Sequence, residues 1–238
     1  MKIAAFFDLD GTLMPPPSLE RRFVGHLFTT GELGLRQAVH ALAEFFARIP
    51  GAPLAAFEGN KAYLAGVRCA AAEEWAARLD SQSWPFFREG VRRLEWHAAQ
   101  GHRIFLISGT LEPLAQAAAC ALSVPVEVYA TRLESAGHHS TGRIRGEHLS
   151  GKAKACLLMR LAEQAGFELT SSFAYGDRIA DGAMLECAGH PVAVNPSLRL
   201  ERLARQRGWR VVEWRATVEQ AGPAQPFFPA AMTTKEER

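Results

Sequence analysis

Five short, nearly uninterrupted apolar runs punctuate the chain, at residues 3–7, 103–107, 126–129, 172–175 and 191–194. Each ends at a polar or glycine-containing turn. Runs of this length without strict alternation suit strands covered on both faces, as in a parallel sheet. Between them lie stretches with apolar positions at helical spacing, about 88–100, 111–122, 152–166, 181–188 and 198–207. Strand and helix alternate, which predicts an α/β fold with a mostly parallel sheet.

One section breaks the alternation. Residues 18–79 contain no convincing strand, and their apolar positions, such as Phe23, Leu27, Leu35, Val39, Leu42 and Phe46, recur at helical spacing. Three or four helices are expected there, inserted after the first strand. Pro15-Pro16-Pro17 marks the start of the insertion and Trp84-Pro85 its end. The expected organisation is a Rossmann-like core from 1–14 and 86–215, with helices on both faces of the sheet. An all-helical cap spans 15–85 and an irregular tail 216–238. Residues 131–146 read as a hairpin or flap. The tail carries Pro223, Pro226 and Pro229, with Phe227-Phe228 as an apolar pair that could dock.

With 48% hydrophobic residues among 238, the chain is long enough to bury a sizeable core. Lys and Arg total 27 and Asp and Glu 25, for a net charge of +2, which gives no support to a nucleic-acid binder driven by bulk charge. The cysteines Cys69, Cys120, Cys156 and Cys187 form no C-x-x-C pair. They read as scattered buried thiols in a reducing cytoplasm. No apolar run reaches the roughly 18 residues that span a bilayer, and Asp8 and Asp10 interrupt the first run too early for a signal peptide. A cytoplasmic protein without a membrane partner is expected.

Asp8-Leu9-Asp10-Gly11-Thr12 sits at the C-terminal end of the first strand. Ligands of open α/β sheets bind at that end. Two carboxylates two residues apart can share one side of an extended chain. Burying both is costly unless a cation joins them, and a hard, oxygen-liganded ion such as Mg²⁺ suits the pair. Gly11 permits a sharp turn that brings N–H groups near an anion. A second pair, Asp177 and Asp181, also follows a strand. Alone it reads as the acidic first turn of a helix; beside the first pair it reads as the rest of a metal site. Ser108-Gly109-Thr110 ends a third strand just before a helix, where a hydroxyl and free N–H groups can bind an anion or simply cap the helix. Lys152 and Lys154 open a fourth helix, either as an anion-neutralising cation or as solvated charges.

Three features carry less. Residues 146–153 approach the nucleotide-binding pattern G-x-x-x-x-G-K-[ST], but Ala153 stands where a hydroxyl is needed and no strand precedes it. His138-His139 fits an exposed turn. Arg199, Arg202, Arg205, Arg207 and Arg210 fit a solvated helix face.

The ordered set D-x-D-G-T, S-G-T, lysine, G-D-x-x-x-D resembles the haloacid dehalogenase-like hydrolase superfamily over about residues 1–214. The helical insertion directly after the first motif is similar to the cap of its phosphoserine-phosphatase-like branch. So are residues 61–66, Thr141-Gly142-Arg143-Ile144 and the stretch 189–196. The resemblance implies Asp8 as the nucleophile that becomes an aspartyl-phosphate. Asp10 would be the acid and then the base. Mg²⁺ would be held by Asp8, the carbonyl of Asp10 and Asp177, with Asp181 in support. Gly11, Thr12, Ser108 and Gly109 would surround the phosphoryl group. The branch pattern G-x-x-K selects Lys154 as the catalytic cation. Dedicated phosphoserine phosphatases place a Glu seven residues after the second Asp to read the substrate amine; here that position is Pro17, with Glu20 out of register.

The expectation is therefore a Mg²⁺-dependent phosphatase of a small phosphorylated metabolite. A phosphotransferase or mutase with the same intermediate, and a phospho-ligand binder without turnover, are the alternatives.

Overall fold

The computed structural model describes residues 2–34, 61–79 and 84–215. Six strands form its central sheet: β1 (Ala4–Phe7), β2 (Arg103–Leu111), β3 (Glu127–Thr131), β6 (Phe173–Gly176), β7 (His190–Val194) and β8 (Arg210–Val212). Their spatial order is β3-β2-β1-β6-β7-β8, and every neighbouring pair is parallel. The sheet and its helices are the Rossmann-like α/β arrangement that the alternating pattern predicts.

Consecutive side chains of a strand point to opposite faces. In β1, Ala5 and Phe7 enter one hydrophobic core while Ala4 and Phe6 enter the other. Ile104 and Leu106 of β2 face the first core, Phe105 and Ile107 the second. Helices α3 (Arg88–Ala99) and α4 (Glu112–Cys120) close the first face through Leu94, Leu114 and Ala118. Helices α5 (Lys152–Ala165), α6 (Gly182–Glu186) and α7 (Leu198–Arg207) close the second through Leu158, Leu161, Leu185 and Leu200. Both faces are dry, which explains why the strands read as continuous apolar runs.

Two helices of the insertion are described. In α1 (Leu19–Thr29), Ser18 caps the start by accepting the N–H of Arg21 (3.4 Å), and Leu19, Phe23 and Leu27 form a buried stripe at a four-residue spacing. A 3₁₀ turn at Ala62–Leu64 precedes α2 (Ala71–Ala77). The expected helical stripe through Leu35, Val39, Leu42 and Phe46 lies outside the described residues, as do Phe227-Phe228 and the rest of the tail. The flap is an antiparallel hairpin of β4 (Leu133–Ala136) and β5 (His139–Ile144). It is stitched to the insertion by main-chain bonds: Gly66 N–H to Ser140 O (2.8 Å), Ser140 N–H to Val67 O (2.8 Å) and Cys69 N–H to His138 O (2.9 Å). Arg68 thereby makes a strand-like bridge with His139, a pairing the sequence did not predict.

Three other expectations are corrected. Strand β2 continues past Ile107 through Ser108-Gly109-Thr110 to Leu111, with a register shift against β3, and α4 starts only at Glu112. Ser108 and Thr110 therefore do not cap that helix. Strand β8 was unforeseen, because its three residues begin with Arg210 and are at most half-buried. Cys69, Cys120 and Cys156 are exposed and Cys187 is half-buried, against the expectation of buried thiols; all four are unpaired. Arg199, Arg202, Arg205 and Arg207 lie on the solvated face of α7 as expected, whereas Arg210 belongs to β8 and is half-buried. Among the described residues, no helix is long and apolar enough to cross a membrane.

Candidate active site

Strand β1 has β2 on one side and β6 on the other, so the chain order reverses there and leaves a crevice beyond the strand ends. Asp8 follows β1 and Asp177 follows β6. The ladder runs up to the first acid itself, since Asp8 N–H donates to Tyr175 O (3.0 Å). The chain then folds back: Gly11 has φ +96° and donates its N–H to Met14 O (2.7 Å). A Cβ on Gly11 would lie 2.1 Å from Oδ2 of Asp177. The glycine is therefore required twice, for its backbone conformation and for the close approach of the two acidic turns. Gly11→Ala is expected to push the turns apart and weaken divalent-ion affinity by roughly 10- to 100-fold, the size of effect seen when residues supporting a metal site are changed. Titration calorimetry with Mg²⁺ measures it; unchanged affinity would contradict the close packing.

The second acidic turn is held just as locally. Oδ2 of Asp181 accepts the N–H groups of Asp177 (3.3 Å) and Arg178 (3.1 Å). Gly176 makes room for it, because a Cβ there would lie 2.5 Å from the Cβ of Asp181. The N–H of Ser197 donates to Asp177 O (2.8 Å), tying the turn to the loop after β7.

Lys154 joins the two turns. Its Nζ donates to Oδ1 of Asp8 (2.5 Å) and to Oδ1 of Asp181 (2.6 Å), and all three side chains are buried. Lys152 is exposed. Ligand atoms of Asp8, Asp177 and Asp181 lie within 4.8 Å of one another, and Oδ1 of Asp177 is buried with no hydrogen-bond partner. Three buried carboxylates face one buried ammonium and the exposed Arg178 guanidinium, whose Nε lies 3.5 Å from Oδ2 of Asp177, so the ionised carboxylates still outnumber the cations. Together with an orphaned carboxylate oxygen, this suits a hard divalent cation.

The electrostatics agree. Burial pushes the Asp8 carboxyl up to about 7, against the opposing pull of Lys154. Burial, together with the charges of Asp8 and Asp181, pushes Asp177 up to about 8. Burial alone would lower the Lys154 ammonium, but Asp181 and Asp8 outweigh it and raise its pKa above the ordinary lysine value.

Asp10 lies apart from that cluster. Its Oδ1 accepts the N–H of Leu19 at the start of α1 (2.6 Å), so the carboxylate faces the insertion. Burial raises its pKa, opposed by the Leu19 bond. The Thr12 hydroxyl is fully buried at 3.5 Å from Oδ2 of Asp8, and Ser108 Oγ accepts the N–H of Thr110 (3.2 Å).

Two contacts escaped the sequence reading. Thr131, at the end of β3, hydrogen-bonds Nδ1 of His148 (3.1 Å), and the imidazole covers Gly109, with Cε1 3.2 Å from where a Cβ would stand. Glu20, which is out of register for reading a substrate amine, is buried with both carboxylate oxygens on Lys61 Nζ (2.7 Å each) and one on the Tyr63 hydroxyl. Partners so far apart in sequence leave no local pattern. His138 and His139 are exposed in the hairpin, away from the acidic cluster.

The comparisons with known proteins point the same way. Phosphoserine phosphatase SerB1 of Mycobacterium tuberculosis is 38% identical over 128 residues, which is 53% of this chain and 41% of that protein. The chain thus matches about two fifths of the length of that relative. A probable phosphatase of the same organism is 28% identical over 221 residues, covering 90% of this chain and 76% of that one. A crystal structure of a Bordetella pertussis protein of unknown function superimposes with a TM-score of 0.73 at 27% identity, covering 90% of this chain and 99% of that one. The model of the haloacid dehalogenase-like hydrolases matches residues 5–186, a span that contains both acidic turns, Ser108 and Lys154. With the parallel sheet, the two interlocked acidic turns and the buried lysine in place, the chain belongs to the haloacid dehalogenase-like hydrolase family.

Proposed function

We propose that this chain is a Mg²⁺-dependent phosphatase that hydrolyses a small phosphomonoester through an aspartyl-phosphate on Asp8. One observation carries the reading: a carboxylate at a strand end is held by a buried ammonium at 2.5 Å, while a second carboxyl two residues on turns the other way, toward the insertion. A pure binder gains nothing from that division of labour. The names of the relatives, phosphoserine phosphatase and probable phosphatase, support the reaction class.

In the first step an Asp8 oxygen bonds to phosphorus and the bond from phosphorus to the ester oxygen breaks. Asp10, whose raised pKa favours the protonated form, gives its proton to that leaving oxygen. In the second step Asp10 takes a proton from water, the water oxygen bonds to phosphorus, and phosphate leaves with Asp8 restored. Lys154 pulls the Asp8 carboxyl toward its ionised form against the effect of burial and would balance charge growing on the phosphoryl oxygens. Ser108, Gly109, Gly11 and Thr12 shape the turns around that group. Asp8, Asp177 and Asp181, with the Asp10 carbonyl, would hold Mg²⁺, which supplies electrostatic stabilisation of the phosphoryl group when bound.

Release of inorganic phosphate from a panel of phosphomonoesters in isotopically labelled water tests the reading. Label in the phosphate identifies hydrolysis; phosphate delivered to an added alcohol instead would make the chain a phosphotransferase.

A second prediction concerns stability. Unfolded, Asp8 and Asp177 ionise near 3.8; folded without a cation, they hold their protons up to about 7 and 8. Their raised values favour the fold at low pH, and that contribution is lost as pH rises from about 4 toward 8. A bound divalent cation reverses the penalty. The gain in Tm on adding Mg²⁺ is therefore expected to grow between pH 5 and 8. At a hundredfold excess over Kd it corresponds to about 2.7 kcal/mol, or roughly 5–10 °C for a chain of this size. Thermal melts with and without Mg²⁺ at several pH values measure it, and a pH-independent increment would contradict the assignment.

A further inference from the structure

The hydrogen bond that orients the proposed acid comes from the main chain. Leu19 opens α1, and its N–H, one of the unpaired donors of a helix start, meets Oδ1 of Asp10 at 2.6 Å. That bond leaves Oδ2 to carry the proton. Asp10 is therefore aimed only as well as the first turn of α1 is placed. Bonds within the segment tie this turn to its own connector: Ser18 caps it, and Arg22 donates to Pro17 O (3.0 Å) and Pro15 O (3.3 Å). Besides the apolar stripe of α1, its tie to distant chain is the residue after Leu19.

Glu20 is buried, and both its carboxylate oxygens accept from Lys61 Nζ (2.7 Å each), while Oε1 also accepts from the Tyr63 hydroxyl. Lys61 and Tyr63 are buried as well. Bonds from two residues hold the carboxylate in one orientation. Their segment is itself seated on the hairpin: Gly66 N–H donates to Ser140 O (2.8 Å), and a Cβ on Gly142 would lie 2.9 Å from Cα of Ala62 and 3.0 Å from the Lys61 carbonyl oxygen. A continuous path thus runs from the hairpin through Lys61 and Tyr63 to Glu20, and from Glu20 to the preceding residue, whose N–H holds Asp10. Asp10 also feels the Glu20 charge, which adds to the rise in pKa that burial causes and the Leu19 bond opposes. A buried ion pair is a weak source of stability, because packed apolar side chains of similar volume often serve as well. What it supplies here is a fixed direction.

We propose that Glu20, Lys61 and Tyr63 are positioning residues for the general acid: they clasp the first turn of α1 so that the Leu19 N–H holds the Asp10 carboxyl toward the leaving oxygen. The proposal rests on the phosphatase reading above. None of the three needs to touch the substrate. Loosening the clasp misplaces a proton donor, and a displacement of about 1 Å at a reacting group can cost a hundredfold. The loss should fall on esters whose leaving oxygen needs a proton and spare those whose leaving group departs as a stable anion.

The test compares benzyl phosphate, whose alcohol must be protonated as it leaves, with para-nitrophenyl phosphate, whose phenolate leaves unaided, each with Mg²⁺. The quantity read is kcat/KM, which reports the steps up to departure of the alcohol and not the later hydrolysis common to both esters. The variant is Glu20→Leu with Lys61→Met, which replaces the ion pair by apolar side chains, and thermal melts check that it folds. It is expected to lose about a hundredfold on benzyl phosphate and to stay within about threefold of wild type on the nitrophenyl ester, which needs little help from the acid. Tyr63→Phe removes one bond from the same carboxylate and should show the same selectivity at about three- to tenfold, which keeps the test decisive if the double variant does not fold. Asp10→Asn is the reference and should show the selectivity at full size. Equal losses on the two esters, or none, beside a selective Asp10→Asn overturn the clasp alone. An Asp10→Asn variant that loses both esters equally, or a wild type that turns over neither ester and carries no phosphoryl adduct on Asp8, overturns the underlying reading and the clasp with it.

Discussion

Asp8→Asn should lower kcat by roughly 10⁴-fold or more, the scale on which removing a covalent nucleophile acts. An amide oxygen is a poor nucleophile toward phosphorus, and its attack would leave a cationic adduct with no proton acceptor placed beside it. The fold should survive. The carboxyl of Asp8 is buried with a pKa pushed up to about 7, so a neutral side chain of the same shape suits that position. The amide oxygen can still accept from Lys154. Wild-type protein quenched during turnover should carry a phosphoryl adduct on Asp8, found by mass spectrometry of its peptides. An adduct on Ser108 would overturn the assignment. Asp10→Asn should also lose most turnover while retaining the adduct for longer, because water then lacks its base in the second step.

Lys154→Ala should lower kcat by about a hundredfold or more, as expected when one preorganised electrostatic donor is removed. Lys152→Ala should stay near wild type. The two residues are two positions apart on α5, about 200° around its axis, so only one can point inward. The structure points Lys154 at Asp8 and Asp181 and leaves Lys152 exposed. Removing a buried ammonium also strands two carboxylates that it bridges, and breaking a buried pair costs about 3–5 kcal/mol. The Lys154 variant should therefore depend on Mg²⁺ for folding more than wild type does, which thermal melts separate from the kinetic effect. A silent Lys154→Ala beside a crippled Lys152→Ala would place the wrong face of α5 toward the site.

Much of this was legible because it is local. The apolar runs announce β1, β2, β3, β6 and β7, since strands covered on both faces need no polar side. The acidic turns are legible because a strand that ends in Asp-x-Asp-Gly must break at the glycine. The resemblance to a known family then chose between Lys152 and Lys154, where helical spacing alone left both open. What stayed hidden is non-local. Strand β8 pairs through its backbone and carries too little apolar character to stand out. Ser108 reads as a helix cap, yet the pairing of β2 with β3 extends the strand past it. Lys61 and Glu20 are 41 positions apart, and no pattern in either segment foretells that they neutralise each other. The His148 contact with Gly109 depends on where the hairpin returns the chain, which no periodicity encodes.

The alternation in β1 has a genetic consequence. Ala5 and Phe7 belong to one core, Ala4 and Phe6 to the other, and Asp8 is the next residue in that alternation. Losing or gaining one codon within positions 4–7 would turn the side chains on one side of the change to the opposite face relative to those on the other. Nucleophile and packing would fail together. Point substitutions in this strand alter one core contact at a time, whereas a length change alters the placing of Asp8 and the packing of both cores at once.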